Sequence, residues 1–144
     1  PVSMLDANVK AGVTSLMMGL KQKIGLTYIF ITHEISLAYY ICDRIAVMYL
    51  GKIVELGKAE EIVKLPLHPY TRLLMEAVPP LQPDEKWGTT ISERGELPLS
   101  TEPPSGCRFH PRCSRAQDIC KVEEPELVEV GRGHYVACHH KNSS

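Results

Sequence analysis

Thr27–Tyr49 reads TYIFITHEISLAYYICDRIAVMY. Leu26–Ile31 is an unbroken apolar run of β-branched and aromatic residues, which predicts a strand covered on both faces, as in a parallel sheet. Thr32, His33 and Glu34 make a polar corner. Ile35–Cys42 then reads as a short helix and Arg44–Tyr49 as a second strand. His33 therefore stands at the carboxyl end of its strand, where open α/β sheets place their ligands.

Upstream, Pro1–Asp6 reads as a loop running into a helix over Ala7–Ile24. Val9, Val13, Leu16, Met17, Leu20 and Ile24 recur at helical spacing. Ser3 or Asp6 can cap that helix, and Gly25 tolerates the positive φ that ends it. Downstream, Leu50-Gly51 splits Arg44–Tyr49 from Lys52–Glu55, the pattern of a hairpin closed by Gly57. Short helices follow over Lys58–Leu65 and Tyr70–Ala77, with a proline-stiffened LHPY corner at residues 67–70 between them. Leu81–Ser105 is rich in Pro, Gly, Glu, Ser and Thr and reads as a linker, although its Trp87 suggests packing against the body. Beyond Gly106, Glu126–Val130 and His134–Ala137 can pair as short strands around Gly131-Arg132-Gly133.

The 144 residues are 44% apolar, enough for a core, and the net charge of −1 gives no electrostatic case for nucleic acid or an acidic membrane. The apolar runs fall well short of the ~20 residues that cross a bilayer. The chain begins at Pro1 without Met and reads as a piece of a longer protein. Four of its five cysteines lie in the last 38 residues. Cys107, Cys113, Cys120 and Cys138 have the spacing C-x5-C-x6-C-x17-C. Four thiolates can close a zinc site or hold an iron–sulfur cluster. Structural zinc sites favour short C-x2–4-C knuckles, and the longer gaps here suit a larger cluster. Disulfides among the same thiols remain the third arrangement. His110, His134, His139 and His140 can each replace a thiolate on zinc. Arg108, Arg112 and Arg115 can donate to cluster sulfurs or form a solvated face. Cys42 reads as a small buried apolar residue.

PVSMLD, GLTYIFITHEISLAYYICDRIAVMYLGKIVELG and LPLHPYTRLLMEAVP together resemble the C-terminal part of an ATP-binding subunit of an oligopeptide/dipeptide ABC importer. The likeness runs from Pro1 to about Pro80, and the four-cysteine tail is also typical of that subfamily. It implies an α/β fold, the C-terminal half of an ABC-type P-loop ATPase domain with parallel strands, helices and a hairpin, followed by a small irregular cysteine-rich extension. It divides the chain into an ATPase portion (1–80), a linker (81–105) and a metal-binding extension (106–144). His33 resembles the switch histidine that contacts the γ-phosphate and aligns the attacking water. Ser3 and Asp6 resemble the D-loop at the interface between two nucleotide sites, with Met4 where alanine is usual. The cysteines imply a [4Fe–4S] cluster, with Zn²⁺ as the alternative.

The chain itself has no GxxxxGK[ST] loop, LSGGQ-like signature or Asp-Glu-terminated strand. In the family the Asp-Glu pair would immediately precede Pro1, so this chain is not expected to hydrolyse ATP alone. ATP and Mg²⁺ belong to the parent subunit. Its implied partners are a second ATP-binding subunit, membrane permease subunits and, indirectly, an extracytoplasmic solute-binding protein, with no nucleic acid. The implied place is the cytoplasmic face of the cell membrane. The competing reading is a free-standing, metal-stabilised regulatory or binding module. Exposed sheet edges and apolar faces would make an isolated fragment self-associate, which a monodisperse monomer in light scattering would contradict.

Overall fold

The structure, a computed structural model, describes residues 7–77 and 103–140. Ser3, Met4, Asp6, Trp87 and nearly all of the expected linker lie outside them. The chain divides after Cys42 into two compact units.

In the first unit, α1 spans Ala7–Ile24, with Lys21 and Lys23 in its last turn, where cations suit the negative end of the helix dipole. Gly25 (φ +67°) stops it, and its N–H donates to the Lys21 carbonyl at 3.0 Å. The strand expected over Leu26–Ile31 is not formed. Ile29 and Ile31 are instead 93% and 94% exposed. A strand of that kind needs neighbours on both edges, and among the described residues no strand pairs with it. α2 covers Ile35–Ile41, one residue shorter than expected, with half-buried Cys42 as its C-cap.

The second unit is built on a four-stranded sheet, so the described fold is mixed α/β. β1 is Arg44–Tyr49, β2 Lys52–Lys58, β3 Val128–Gly131 and β4 His134–Val136. Their order is β1-β2-β4-β3, and every pairing is antiparallel. The parallel pairing expected of the fold is thus absent among the described residues. Both hairpins form as expected, but β2 runs on past Glu55 to Lys58 with Gly57 paired to Ile45 inside it, and β3 is Val128–Gly131 instead of Glu126–Val130. Leu50 (φ 44°) and Gly51 (φ 80°) form the tight β1–β2 turn, in which both central residues take positive φ.

β1 alternates regularly and buries Ile45, Val47 and Tyr49. β2 does not. Val47 pairs with Glu55 and Met48 with Ile53, which leaves Val54 as an unmatched bulge. A bulge re-aims the side chains beside it, so the consecutive residues Val54 and Glu55 are both buried. The bulged Val54 carbonyl accepts the Ala137 N–H at 2.9 Å, which carries the sheet into the cysteine section.

α3 (Ala59–Lys64) and α4 (Pro69–Glu76) follow β2. α4 starts cleanly because Pro69 occupies its first turn and His68 Nδ1 accepts the Tyr70 N–H at 3.1 Å. A 3₁₀ turn at His110–Arg112 and the short α5 (Asp118–Val122) precede the second hairpin.

Candidate functional site

Cys107, Cys113, Cys120 and Cys138 carry free thiols, with Cys120 buried and the others half-buried. Two of them open tight turns. The Cys107 carbonyl accepts the His110 N–H at 2.9 Å, and the Cys113 carbonyl accepts the Ala116 N–H at 3.2 Å. This curl aims the amide two residues on at the sulfur. Phe109 N–H donates to Cys107 Sγ, and Arg115 N–H to Cys113 Sγ. His140 N–H repeats the pattern on Cys138 Sγ at 3.4 Å. Burial pushes these three thiols up, and the amide on each sulfur pulls the other way. Cys107 also feels Cys120, Cys138 and Cys113 electrostatically, so the four sulfurs share one neighbourhood.

Gly106 sets the approach of Cys107 to α5. It has φ +65°, and a Cβ there would lie 2.5 Å from the Cys120 carbonyl oxygen. The same approach lets Cys107 N–H donate to that oxygen at 2.8 Å. Among the described residues, no three His, Cys, Asp or Glu side chains form a group able to hold a single metal ion. Three of the four histidines expected as alternative zinc ligands have other bonds, whereas His140 Nε2 is buried with no hydrogen-bond partner among the described residues. His110 Nδ1 meets the Cys107 carbonyl at 3.0 Å, His139 Nε2 the Glu123 carbonyl at 3.0 Å, and His134 Nε2 the Glu55 carboxylate at 2.8 Å. Of the three arginines, Arg115 lies near the Cys113 and Cys138 thiols. Arg108 Nη1 donates to the Leu50 carbonyl, and Arg112 acts on Tyr70.

Behind the thiols is a polar knot that the sequence reading missed. Glu55 is fully buried. Its Oε1 accepts from Leu67 N–H at 2.8 Å and from His134 Nε2 at 2.8 Å, and its Oε2 accepts from His68 N–H at 2.9 Å. His134 turns its Nδ1 toward Glu61 Oε2 at 3.8 Å. One carboxylate thus joins β2, the LHPY corner and β4. Phe109 plugs the space beside it, with ring centroids 5.2 Å from Tyr49, 5.4 Å from Tyr70 and 5.7 Å from His68.

Burial lowers the His68 imidazole from 6.5 to about 4, and the Glu55 carboxylate opposes that shift. Native His68 therefore stays neutral in a range where the unfolded chain takes up a proton. Its contribution is complete above the unfolded value and is lost as pH falls from about 6.5 to about 4. Denaturation midpoints should fall across that window by an amount equivalent to roughly 3 kcal/mol at most. His68→Asn, which keeps an N-cap acceptor, should flatten that part of the profile. Superimposable profiles would mean that His68 does not carry it.

His33 has no comparable setting. Its side chain is 79% exposed, with Nε2 3.9 Å from Glu34 Oε1. The Thr32 hydroxyl accepts the Glu34 N–H at 3.0 Å and so shapes the bend before α2.

Residues 54–120 match the family described as the oligopeptide/dipeptide transporter C-terminal region. That span begins at the β2 bulge and ends at Cys120. The chain is 46% identical over 143 residues to an oligopeptide transport ATP-binding protein of Bacillus subtilis, which covers 96% of this chain and 43% of the relative. It is 46% identical over 138 residues to a dipeptide transport ATP-binding protein of Escherichia coli, with 96% and 41% covered. A putative peptide import ATP-binding protein of Brucella ovis is 45% identical over 138 residues, with 96% and 43% covered. The chain therefore spans less than half the length of these relatives.

Proposed function

Because this chain carries the C-terminal region of peptide-importer ATP-binding subunits, we propose that it serves as that part of an ATP-hydrolysing subunit driving peptide import. The likeness over 96% of the chain carries this reading. The same coverage leaves a free-standing regulatory module disfavoured. In this reading the subunit uses ATP and Mg²⁺, pairs with a second ATP-binding subunit, and works on membrane permease subunits supplied by an extracytoplasmic solute-binding protein. Its place is the cytoplasmic face of the membrane, as a peripheral subunit. Among the described residues no helix is long and apolar enough to cross a membrane. Ser3 and Asp6 line the contact between nucleotide sites, and His33 holds the γ-phosphate. The exposed Ile29 and Ile31 favour self-association of the chain on its own.

The test is a chimera in which this chain replaces the matching region of the Bacillus subtilis relative, in a strain lacking that protein. Uptake of oligopeptides should return. His33→Ala in the chimera should cut ATP hydrolysis by about a hundredfold or more, the usual effect of losing a group that stabilises charge in the transition state. Full hydrolysis by the His33→Ala chimera would remove the switch role.

The domain reading keeps 1–80 as the ATPase portion, 81–105 as linker and 106–144 as a metal-binding extension. Cys107, Cys113, Cys120 and Cys138 fit a [4Fe–4S] cluster better than Zn²⁺. Three of the sulfurs have an amide N–H in place, which suits thiolate ligands. The four sulfurs influence one another electrostatically, and the long spacings between the cysteines suit a cluster of several irons. A cluster would tie together two turns, α5 and the end of β4. It would supply the cohesion that Phe109, Cys120, Val136 and Ala137, the buried apolar residues of this section, cannot provide alone. Anaerobically purified chain should be brown and hold about four irons. One zinc per chain in colourless protein would replace the cluster with a zinc site.

A further inference from the structure

The LHPY corner has no chemistry of its own, yet two ring contacts from the cysteine section end on it and a third contact reaches it through Glu55. Phe109, which lies between Cys107 and Cys113 in sequence, is 3% exposed and packs on the His68 and Tyr70 rings. His134, four residues before Cys138, is bonded to the Glu55 carboxylate that also takes the Leu67 and His68 amides. The corner is itself stiffened by Tyr70 N–H on His68 Nδ1 and by Arg72 Nε on the Pro66 carbonyl at 2.9 Å.

We propose that the Leu67–Tyr70 corner is the socket that seats the cysteine section, with Phe109 as its plug and the Glu55–His134 pair as its clasp. The arrangement of the four thiols and the order of α4 then stand or fall together. Coupling of this kind is reciprocal. Whatever fixes the thiols also fixes the corner, and whatever loosens the corner disperses the thiols. The thiol arm of the test below is independent of metal. The metal arm rests on the cluster reading given above.

Hydrogen exchange on the whole chain reads the corner directly, because the Leu67 and His68 amides are held by Glu55 and the Tyr70 amide by His68 Nδ1. Alkylation rates of Cys107, Cys113 and Cys138 read the thiols. Phe109→Leu perturbs the plug while keeping an apolar side chain, and Tyr70→Leu perturbs the socket from the other side. Each should raise exchange at the three corner amides at least about tenfold and speed alkylation of the thiols to a similar degree. Amides at the Arg44–Lys58 end of the β1–β2 hairpin should stay unchanged. Reconstitution with ferrous iron and sulfide should slow corner exchange in the parent chain and fail to do so in Phe109→Leu. The proposal is overturned if the corner responds without the thiols, if the thiols respond without the corner, or if all amides speed up together. A chain that takes up no iron would overturn the cluster, while the alkylation arm would still decide the socket.

Discussion

Glu55→Leu should destabilise the chain by roughly 3 kcal/mol or more, because three donors in or beside the core lose their acceptor at about 1–3 kcal/mol each. The cost lies less in the lost carboxylate than in what it leaves behind. His68 N–H and His134 Nε2–H would be buried without an acceptor, and the half-buried Leu67 N–H would lose its own. Glu55→Gln keeps the volume and one carbonyl oxygen but points an NH₂ at groups that are themselves donors. It should fall between, at about 1–3 kcal/mol. Urea unfolding measures both, as a lower midpoint with an unchanged slope. If Glu55→Leu matched the parent, backbone pairing and packing would hold β4 on β2 without the carboxylate.

The second large effect is expected at Gly106. An alanine methyl there meets only backbone: the Cys120 carbonyl oxygen at 2.5 Å, Lys121 C at 2.8 Å and Val122 N at 2.9 Å. Backbone atoms cannot swing aside as a side chain would, and φ +65° is already unfavourable for any residue with a Cβ. Gly106→Ala should cost roughly 2–4 kcal/mol from conformational strain and overpacking together. It should also part Cys107 from α5, so its thiol should alkylate faster. Gly12→Ala and Gly19→Ala make the opposite-sign control. Both lie inside α1 with nothing within 4 Å of the added carbon, and each should stabilise the helix by about 0.5–1 kcal/mol. A Gly106→Ala chain as stable as the parent would mean that α5 can shift away from Cys107 at no cost.

Local rules carried the reading of this sequence a long way. α1 was legible because helical spacing ends at a glycine free to take positive φ. The two hairpins were legible because Leu50-Gly51 and Gly131-Arg132-Gly133 interrupt strand-like runs. What failed depended on partners distant in sequence. Leu26–Ile31 has the composition of a buried strand, but composition supplies no neighbouring edge. Alternation along β2 would set Glu55 on the opposite face from Val54, and one bulged valine puts both inside. The four cysteines stood out by their clustering, and the amide on three of the sulfurs did not. His134 was noticed only as a spare ligand, since nothing local ties it to a glutamate 79 residues away.

That separation bears on how the chain is made. β1 and β2 are adjacent in sequence and can pair as soon as both are synthesised, but the free edge of β2 has to wait for β4. Long-range pairing is slow, and an open strand edge is an aggregation hazard while it lasts. During that interval Glu55 has no His134 to accept from, and a charged residue at a temporary edge is itself a guard against mispairing. A carboxylate that later holds the finished sheet together thus protects the unfinished one.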